Sequence, residues 1–554
     1  MRASKDLPLT TAAEAERYRR SGTWPDETIY ERFARFALRF ADKPAVVEAH
    51  RTLTYRTLLE RVQALSRGLL DAGIGPGSVV ALQLPNSAEQ PMVHLALNRI
   101  GALAVPIHDA WHEAELPHLL KLSRAVAAIV PSSYRELDYP ALYARLQPQL
   151  PELKQVFAIG PPNPHADAFE SLFSRGSETA VAALGAIDPD APGDVMLSSG
   201  TTSMPKISLF SSNNLLALLE PFFRRIRITS DDIAGALAPA GTGAIGYVYP
   251  MLSPLLNGAT TVILDRWSEP EIALELLCRH RCTYAFAVPA QLAQSLAAIK
   301  ARPSADFAAF RCFVNAGAPL GADVGRQIEK HMACKIFGIY GATDGGVATS
   351  TDLDDTQEQR LTTVGRAQDG CEIRLVDEIG EPVPPGQSGE IQWRSADKSY
   401  GYLNDPEATA AAFTDDRFYR TGDLGLLDTD GYMRIVGRVK DMILRGGRNI
   451  SPRLIEEMVS RHPQIVDVAV AAYPCPVMGE RACAFVVLQR NTTLSFPALI
   501  DFLHGEQMPT WQLPERMELL DELPKSAGGK VMKGKLREFV AAKVKAEAEP
   551  ASRA

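Results

Sequence analysis

From residue 53 to 110 the chain alternates helical and extended signals in a rhythm that demands a layered α/β fold. LTYRTLLERVQALSRGLLDAG puts Leu58, Val62, Leu65 and Leu69 on one helical face and stops at Gly73. SVVALQLP reads as a short strand, SAEQPMVHLALNRIG as a second helix and ALAVPI as a second strand. Short apolar strands separated by helices pair in parallel, with the helices covering the sheet. The texture changes around 372–394, where EIRLVDEIGEPVPPGQSGEIQWR alternates strand, turn and strand, as in a small antiparallel unit. Near 442 a compact segment begins, with helix SPRLIEEMVSRH, strands VDVAVAAYP and ACAFVVLQR, and helix FPALIDFLHG. A chain of 554 residues exceeds a single core and must divide into domains.

Composition excludes several classes. The net charge of −8 argues against a nucleic-acid coat or a binder of anionic membranes. Seven cysteines without a CxxC give neither a disulfide framework nor a zinc site; Cys278-Arg-His280-Arg-Cys282 lacks a second ligand pair. The charged N-terminus MRASKDLPLTTAAEAERYRR has no apolar segment of the signal-peptide kind. Residues 234–264 carry no charge, yet Pro239, Pro250, Pro254, five glycines and Asn257 fit buried strands and a broken helix better than a membrane span. The expectation is a cytoplasmic enzyme with no membrane span and no nucleic-acid partner.

Residues 198–206, SSGTTSMPK, place five hydroxyls, a glycine and one cation directly after the apolar strand signal DVML. Small donors, a glycine that lets backbone approach an anion, and a lysine suit a phosphate cradle. The pattern G-x-x-x-x-G-K-[ST] fails here, because Pro205 stands at the second glycine and Ile207 follows Lys206. A P-loop NTPase is excluded; a Ser/Thr-rich turn is the plain alternative.

Further stretches follow in order: NAGAPL (315–320) with IYGATDGG (339–346), FYRTGDLG (418–425), GRVKDMILRGGRNISP (437–452) and LPKSAGGKVMKGKLRE (523–538). Together with SSGTTSMPK, and with GYLNDPEATAAAF (401–413) and YPCPVMGERACAFVV (473–487) in support, they resemble the adenylate-forming superfamily along nearly the whole chain. That superfamily includes acyl-CoA synthetases, peptide-synthetase adenylation domains and firefly luciferase.

The resemblance implies an α/β fold: a large N-terminal domain of layered α/β subdomains plus a small antiparallel barrel-like unit, and a small mobile α+β C-terminal domain. The implied limits are 1–437 for the AMP-binding domain, 438–441 for a hinge centred on Lys440, and 442–554 for the mobile domain. The implied activity is ATP-dependent conversion of a carboxylic acid to an acyl-adenylate, then transfer to a thiol. Because a carboxylate attacks the α-phosphorus, two anions must be screened from each other.

The resemblance assigns the phosphate grip to Ser198, Ser199, Gly200, Thr201, Thr202 and Lys206. It assigns the adenine slot to Gly317, Ala318, Pro319, Tyr340 and Gly341, and the α-phosphate to Thr343. Asp344 is the implied Mg²⁺ ligand, and Asp423 with Arg438 takes the ribose. Lys530 reaches carboxylate and α-phosphate, Gly447 lines a thiol tunnel, and Pro239, Gly241 and Thr242 line the acyl pocket. The implied cofactors are ATP, Mg²⁺ and CoA or a carrier phosphopantetheine.

Several positions depart from the family pattern. Ser203 and Ile207 replace glycines, Asp344 replaces glutamate, Thr242 falls where members often carry histidine, and GGK replaces SGK. The acceptor is CoA, with an acyl carrier protein acting in trans or an amine as alternatives, and a non-catalytic nucleotide-binding relic as a further one. With no acidic residue from Pro239 to Tyr247, the wall suits a medium-sized apolar, alicyclic or aromatic acid.

Overall fold

The computed structural model describes residues 10–197, 204–525 and 531–548. By packing, these fall into two units, one built from 10–373 and 393–419, the other from 374–392 and 420–548.

The first unit holds two sheets of the expected layered kind. In one, the parallel strands run in the order Leu103–Pro106, Val79–Leu82, Ala127–Pro131, Gln155–Ile159, Asp167–Ala168. Helix Tyr55–Asp71 packs on it with Leu58, Val62, Leu65 and Leu69 fully buried. Thr54 caps this helix by accepting from the Thr57 N–H, and Gly73, at φ +83°, ends it. The second sheet is nine-stranded, with a parallel centre that places Cys312–Asn315 beside Lys335–Ala342. The uncharged stretch breaks into strand Ile233–Ala236, a 3₁₀ turn Ala240–Ile245, a π turn Val248–Leu252 and strand Thr260–Ile263. Among the described residues no helix is long and apolar enough to cross a membrane. Strands Pro192–Leu197 and Ile207–Ser211 form a separate antiparallel hairpin.

The second unit contains a four-stranded sheet that ends in Tyr419–Leu427 paired antiparallel with Met433–Arg438. Its other sheet is built on the long hairpin Ile465–Cys475/Gly479–Leu488, with Arg516–Leu519 added in parallel. Leu499 and Leu503 of helix Phe496–Gly505 are buried in its core.

Within the first unit, residues 395–399 carry charge into the interior. The Ala396 carbonyl accepts from Trp24 Nε1 at 3.0 Å and Asn214 Nδ2 at 2.9 Å. Asp397 is buried; its carboxylate accepts from the Val347 N–H at 2.8 Å and from the Ser395 hydroxyl. Lys398 is fully buried, with Glu14 3.9 Å away as its counter-charge, and burial pushes its ammonium down to about 8. Burial pushes the Asp397 carboxyl up from 3.8 to about 6, against the pull of Ser395 and Val347.

The unfolded chain therefore releases this proton at lower pH than the folded one. The resulting loss of stability develops as pH rises from about 4 to 6 and persists above. Asp397→Asn keeps an acceptor for Val347 while the Ser395 hydroxyl turns to accept from its amide. It should add up to about 3 kcal/mol relative to the parent at pH 7 and little at pH 4. Urea unfolding of both proteins at the two pH values checks this, and an equal shift at both would refute it.

Candidate active site

Strand Lys335–Ala342 turns through Thr343-Asp344-Gly345 into strand Gly346–Ser350. Side-chain-free positions make that hairpin possible. A Cβ on Gly341 would lie 2.4 Å from the Gly346 carbonyl oxygen, and one on Gly345 the same distance from the Tyr419 ring. Trp393 Nε1 fixes the turn by donating to the Gly345 carbonyl at 2.7 Å.

Asp344 is thereby pulled inward, to 9% exposure. Its carbonyl accepts from the Ser399 hydroxyl at 2.6 Å, and its carboxylate Oδ2 from the Tyr402 hydroxyl. Tyr419 also reaches this carboxylate. Burial, then the Asp344 charge, holds the Tyr402 hydroxyl far above its usual range, so it stays protonated and donates.

Tyr402 is placed by backbone. Residues 400–403 run antiparallel along Ile207–Ser211, through Tyr400 N–H to Leu209 O at 2.7 Å, Leu209 N–H to Gly401 O at 3.0 Å and Leu403 N–H to Ile207 O at 2.8 Å. The Tyr402 ring lies under the Lys206 ammonium, 4.6 Å from Nζ to centroid. Tyr402 thus joins the two charges, with Lys206 over its ring and Asp344 at its hydroxyl. Ile207 is a fully buried strand residue opposite Leu197, so its side chain serves the core where a glycine was expected in a loop.

Gly317, Ala318 and Pro319 leave the C-terminal end of Cys312–Asn315 and are exposed, with Gly317 at φ +83°. Tyr340 stands at the same end of the neighbouring parallel strand, half-buried, its ring edge-on to Trp393 at 5.7 Å. Loops at the carboxyl ends of adjacent parallel strands are where α/β sheets bind ligands. Thr343 is half-buried in the turn beside Asp344.

Pro239 opens the turn Ala240–Ile245, and the Thr242 hydroxyl donates back to its carbonyl at 2.6 Å. A Cβ on Gly241 would lie 2.3 Å from the His108 Cα, so glycine is required there by close approach. Asn86 braces the segment, accepting from the Ala240 N–H at 2.7 Å and donating to Ala238 O at 3.0 Å.

In the second unit Asp423 and Arg438 face each other across the sheet, with Arg438 Nε 2.7 Å from Asp423 Oδ1. Thr421 Oγ1 accepts from the Asp423 N–H at 2.8 Å. Lys440 lies in the 3₁₀ turn Val439–Asp441, whose carbonyl at Lys440 accepts from Arg537 at 2.9 Å. Gly447, at φ +79°, sits at the tip joining Ile443–Arg445 to Arg448–Ile450. No atom lies within 4 Å of a Cβ built there, so backbone conformation, not crowding by the protein, calls for glycine. Ser198, Ser199, Gly200, Thr201, Thr202, Ser203 and Lys530 lie outside the described residues.

Among the described residues no three His, Cys, Asp or Glu side chains gather to hold a metal. A single carboxylate, oriented through one oxygen by a tyrosine, nevertheless fits magnesium that arrives with nucleotide phosphates as its other ligands. Sequence reasoning missed Tyr402 and Ser399 as partners of Asp344; the signal for Tyr402 was the stretch GYLNDPEATAAAF, quoted above only in support, while Ser399 lies just before it.

A family model described as "AMP-binding enzyme" matches residues 33–403, and one described as "AMP-binding enzyme C-terminal domain" matches 454–530. A medium-chain fatty-acid–CoA ligase of Escherichia coli is 32% identical over 94% of this chain and 92% of its own length. A Streptomyces protein named salicylyl-CoA synthase / salicylate adenylyltransferase is 32% identical over 96% of both chains. The crystal structure of ATP-bound MatB from Rhodopseudomonas palustris superposes with a TM-score of 0.83 at 27% identity, covering 93% of this chain and 99% of that one. By sequence and by fold, the chain belongs to the AMP-binding, adenylate-forming enzymes.

Proposed function

We propose that this protein activates a carboxylic acid with ATP to an acyl-adenylate and passes the acyl group to CoA. The observation that carries the reading is the grouping of Lys206 and Asp344 on one tyrosine, the cation over the Tyr402 ring and the carboxylate at its hydroxyl. A phosphate chain needs positive charge on one side and a metal-bearing carboxylate on the other. Names of relatives that join acids to CoA support the reaction class.

In this reading, Ser198–Thr202 and Lys206 grip the β- and γ-phosphates, and Thr343 contacts the α-phosphate. Gly317-Ala318-Pro319, Tyr340 and Gly341 receive adenine, and Asp423, oriented by Arg438, accepts the ribose hydroxyls. Asp344 holds magnesium brought by ATP, which disperses charge on the departing pyrophosphate. The acid lies against Pro239, Gly241 and Thr242. Residues 1–437 form the nucleotide and acid domain, 438–441 the hinge at Lys440, and 442–554 the domain that alternates Lys530 and Gly447 between the half-reactions.

Lys206→Met keeps the stem and removes the charge. It should fold normally and raise the KM for ATP on the order of tenfold; unchanged ATP kinetics would make SSGTTSMPK an ordinary turn. Asp344→Asn preserves an acceptor for Tyr402 but loses the charge, so the magnesium concentration for half-maximal rate should rise about tenfold. An unaltered magnesium titration would remove Asp344 from the metal.

Lys530 acts in the first half-reaction alone. Lys530→Ala should slow acid-dependent pyrophosphate release by about 10²-fold, roughly 3 kcal/mol, as lost oxyanion donors do. It should still convert synthetic acyl-AMP and CoA to thioester. Equal damage to both half-reactions in a folded variant would end the two-conformation mechanism.

A further inference from the structure

The segment that opens at Pro239 runs on to Tyr247, which is tied to the interior by polar groups that no step above employs. Tyr247 is buried, and its hydroxyl lies 2.6 Å from His94 Nδ1. Nε2 of the same imidazole contacts Asp194 Oδ1, on strand Pro192–Leu197. Burial, then the Asp194 charge, holds the tyrosine hydroxyl far above its usual range, so the proton stays on oxygen. The imidazole thus bridges the Tyr247 hydroxyl and the Asp194 carboxylate, one ring nitrogen to each. Only one oxygen of Asp194 is engaged in this way.

Behind this chain lies a small cavity lined by Gln90, His94, Asp194, Met196, Tyr247 and Val248, with a free interior of about 10 Å³. Two acceptors, Asp194 Oδ2 and Gln90 Oε1, are buried there without a protein partner among the described residues. The room equals about one water, and a water has two protons for two acceptors. Apolar side chains that include Leu82, Met196 and Leu215 make up the rest of the wall, but an alkyl tail has no space there.

We infer that Tyr247, held by His94 and Asp194, is the stop that sets the depth of the acid site, so the acid is compact: an aryl or short alicyclic monocarboxylate rather than a medium-chain fatty acid. This rests on the reading that the 239–247 wall faces the acid. Tyr247 is a specificity-determining residue, with His94 and Asp194 as positioning residues that keep it in place.

The test is pyrophosphate release by the full chain with benzoate, salicylate, hexanoate, octanoate and decanoate, for the parent, Tyr247→Phe and Tyr247→Ala. The parent should favour the compact acids over octanoate by at least about tenfold in kcat/KM. Tyr247→Ala opens a ring-sized space and should move the octanoate-to-benzoate ratio at least about tenfold towards octanoate, chiefly through KM. Tyr247→Phe frees the ring from His94 and should raise the KM of the compact acids with kcat kept. A parent that prefers octanoate or decanoate overturns the inference and leaves the ligase intact. So does an unchanged ratio in both variants when their melting temperatures match the parent. If Tyr247→Ala does not fold, the parent profile and Tyr247→Phe decide. Release with none of the acids, by a folded parent that binds ATP, removes the ligase reading itself and this inference with it.

Discussion

Three backbone hydrogen bonds between residues 400–403 and strand Ile207–Ser211 determine where the chemistry can occur in the first unit. Without them Tyr402 would be a loop residue, Lys206 would have no ring beneath it, and the Asp344 carboxylate would lose its donor. The pairing brings together segments nearly two hundred positions apart. It works because strand Ile207–Ser211 is already paired with Pro192–Leu197 on its other edge. A buried carboxylate without a hydrogen bond costs several kcal/mol, whereas one donated to by a neutral tyrosine keeps its charge at modest cost. The tyrosine thus gives the buried Asp344 carboxylate a donor.

The same region tolerates strain that a purely structural core would not. Asp397 and Lys398 are adjacent, both buried, and both pushed towards their neutral forms. They directly precede Ser399, which donates to the Asp344 carbonyl. Carrying two costly charges beside the turn that presents Asp344 makes sense where geometry outranks stability. Glu14, in the capping box of helix Ala12–Arg20, supplies the counter-charge to Lys398, so this helix takes part in holding the site. It precedes the stretch matched to the family, 33–403.

What could be read from the residues beforehand follows a simple division. The 3.6-residue apolar rhythm of 55–71 is local, and its four facing residues are the ones found buried. The breaks in the uncharged stretch were legible for the same reason: proline and glycine act where they stand. Asp423 and Arg438 were legible only through motif spacing, and their 2.7 Å pairing adds the register that spacing lacks. Tyr402 and the Tyr247–His94–Asp194 chain were not legible, because each joins residues from distant segments that no periodicity links. Gly447 was named for a thiol tunnel, and its φ of +79° adds a conformational reason for glycine that the residues alone did not carry.

The departures from the family pattern bear on whether the enzyme is competent, and the structure weighs them unequally. Ile207 stands where the family pattern has a glycine in the phosphate loop. It is instead the first residue of a buried strand, where a β-branched side chain is the favoured choice and a glycine would weaken the pairing. Its carbonyl accepts from Leu403, one residue past Tyr402. The substitution therefore stabilises the ladder that positions Tyr402. Asp344 is one methylene shorter than glutamate, and a shorter arm reaches less far but loses less entropy when held. Donors from Tyr402 and Ser399 on two different atoms hold this one. A relic that had stopped handling nucleotide would have no physical reason to keep a carboxylate buried against the hydroxyl of a tyrosine whose ring carries a cation on its face. Drift would replace so costly an arrangement with apolar packing. The two departures that the structure describes most closely thus belong to a built site, and they count against the non-catalytic alternative.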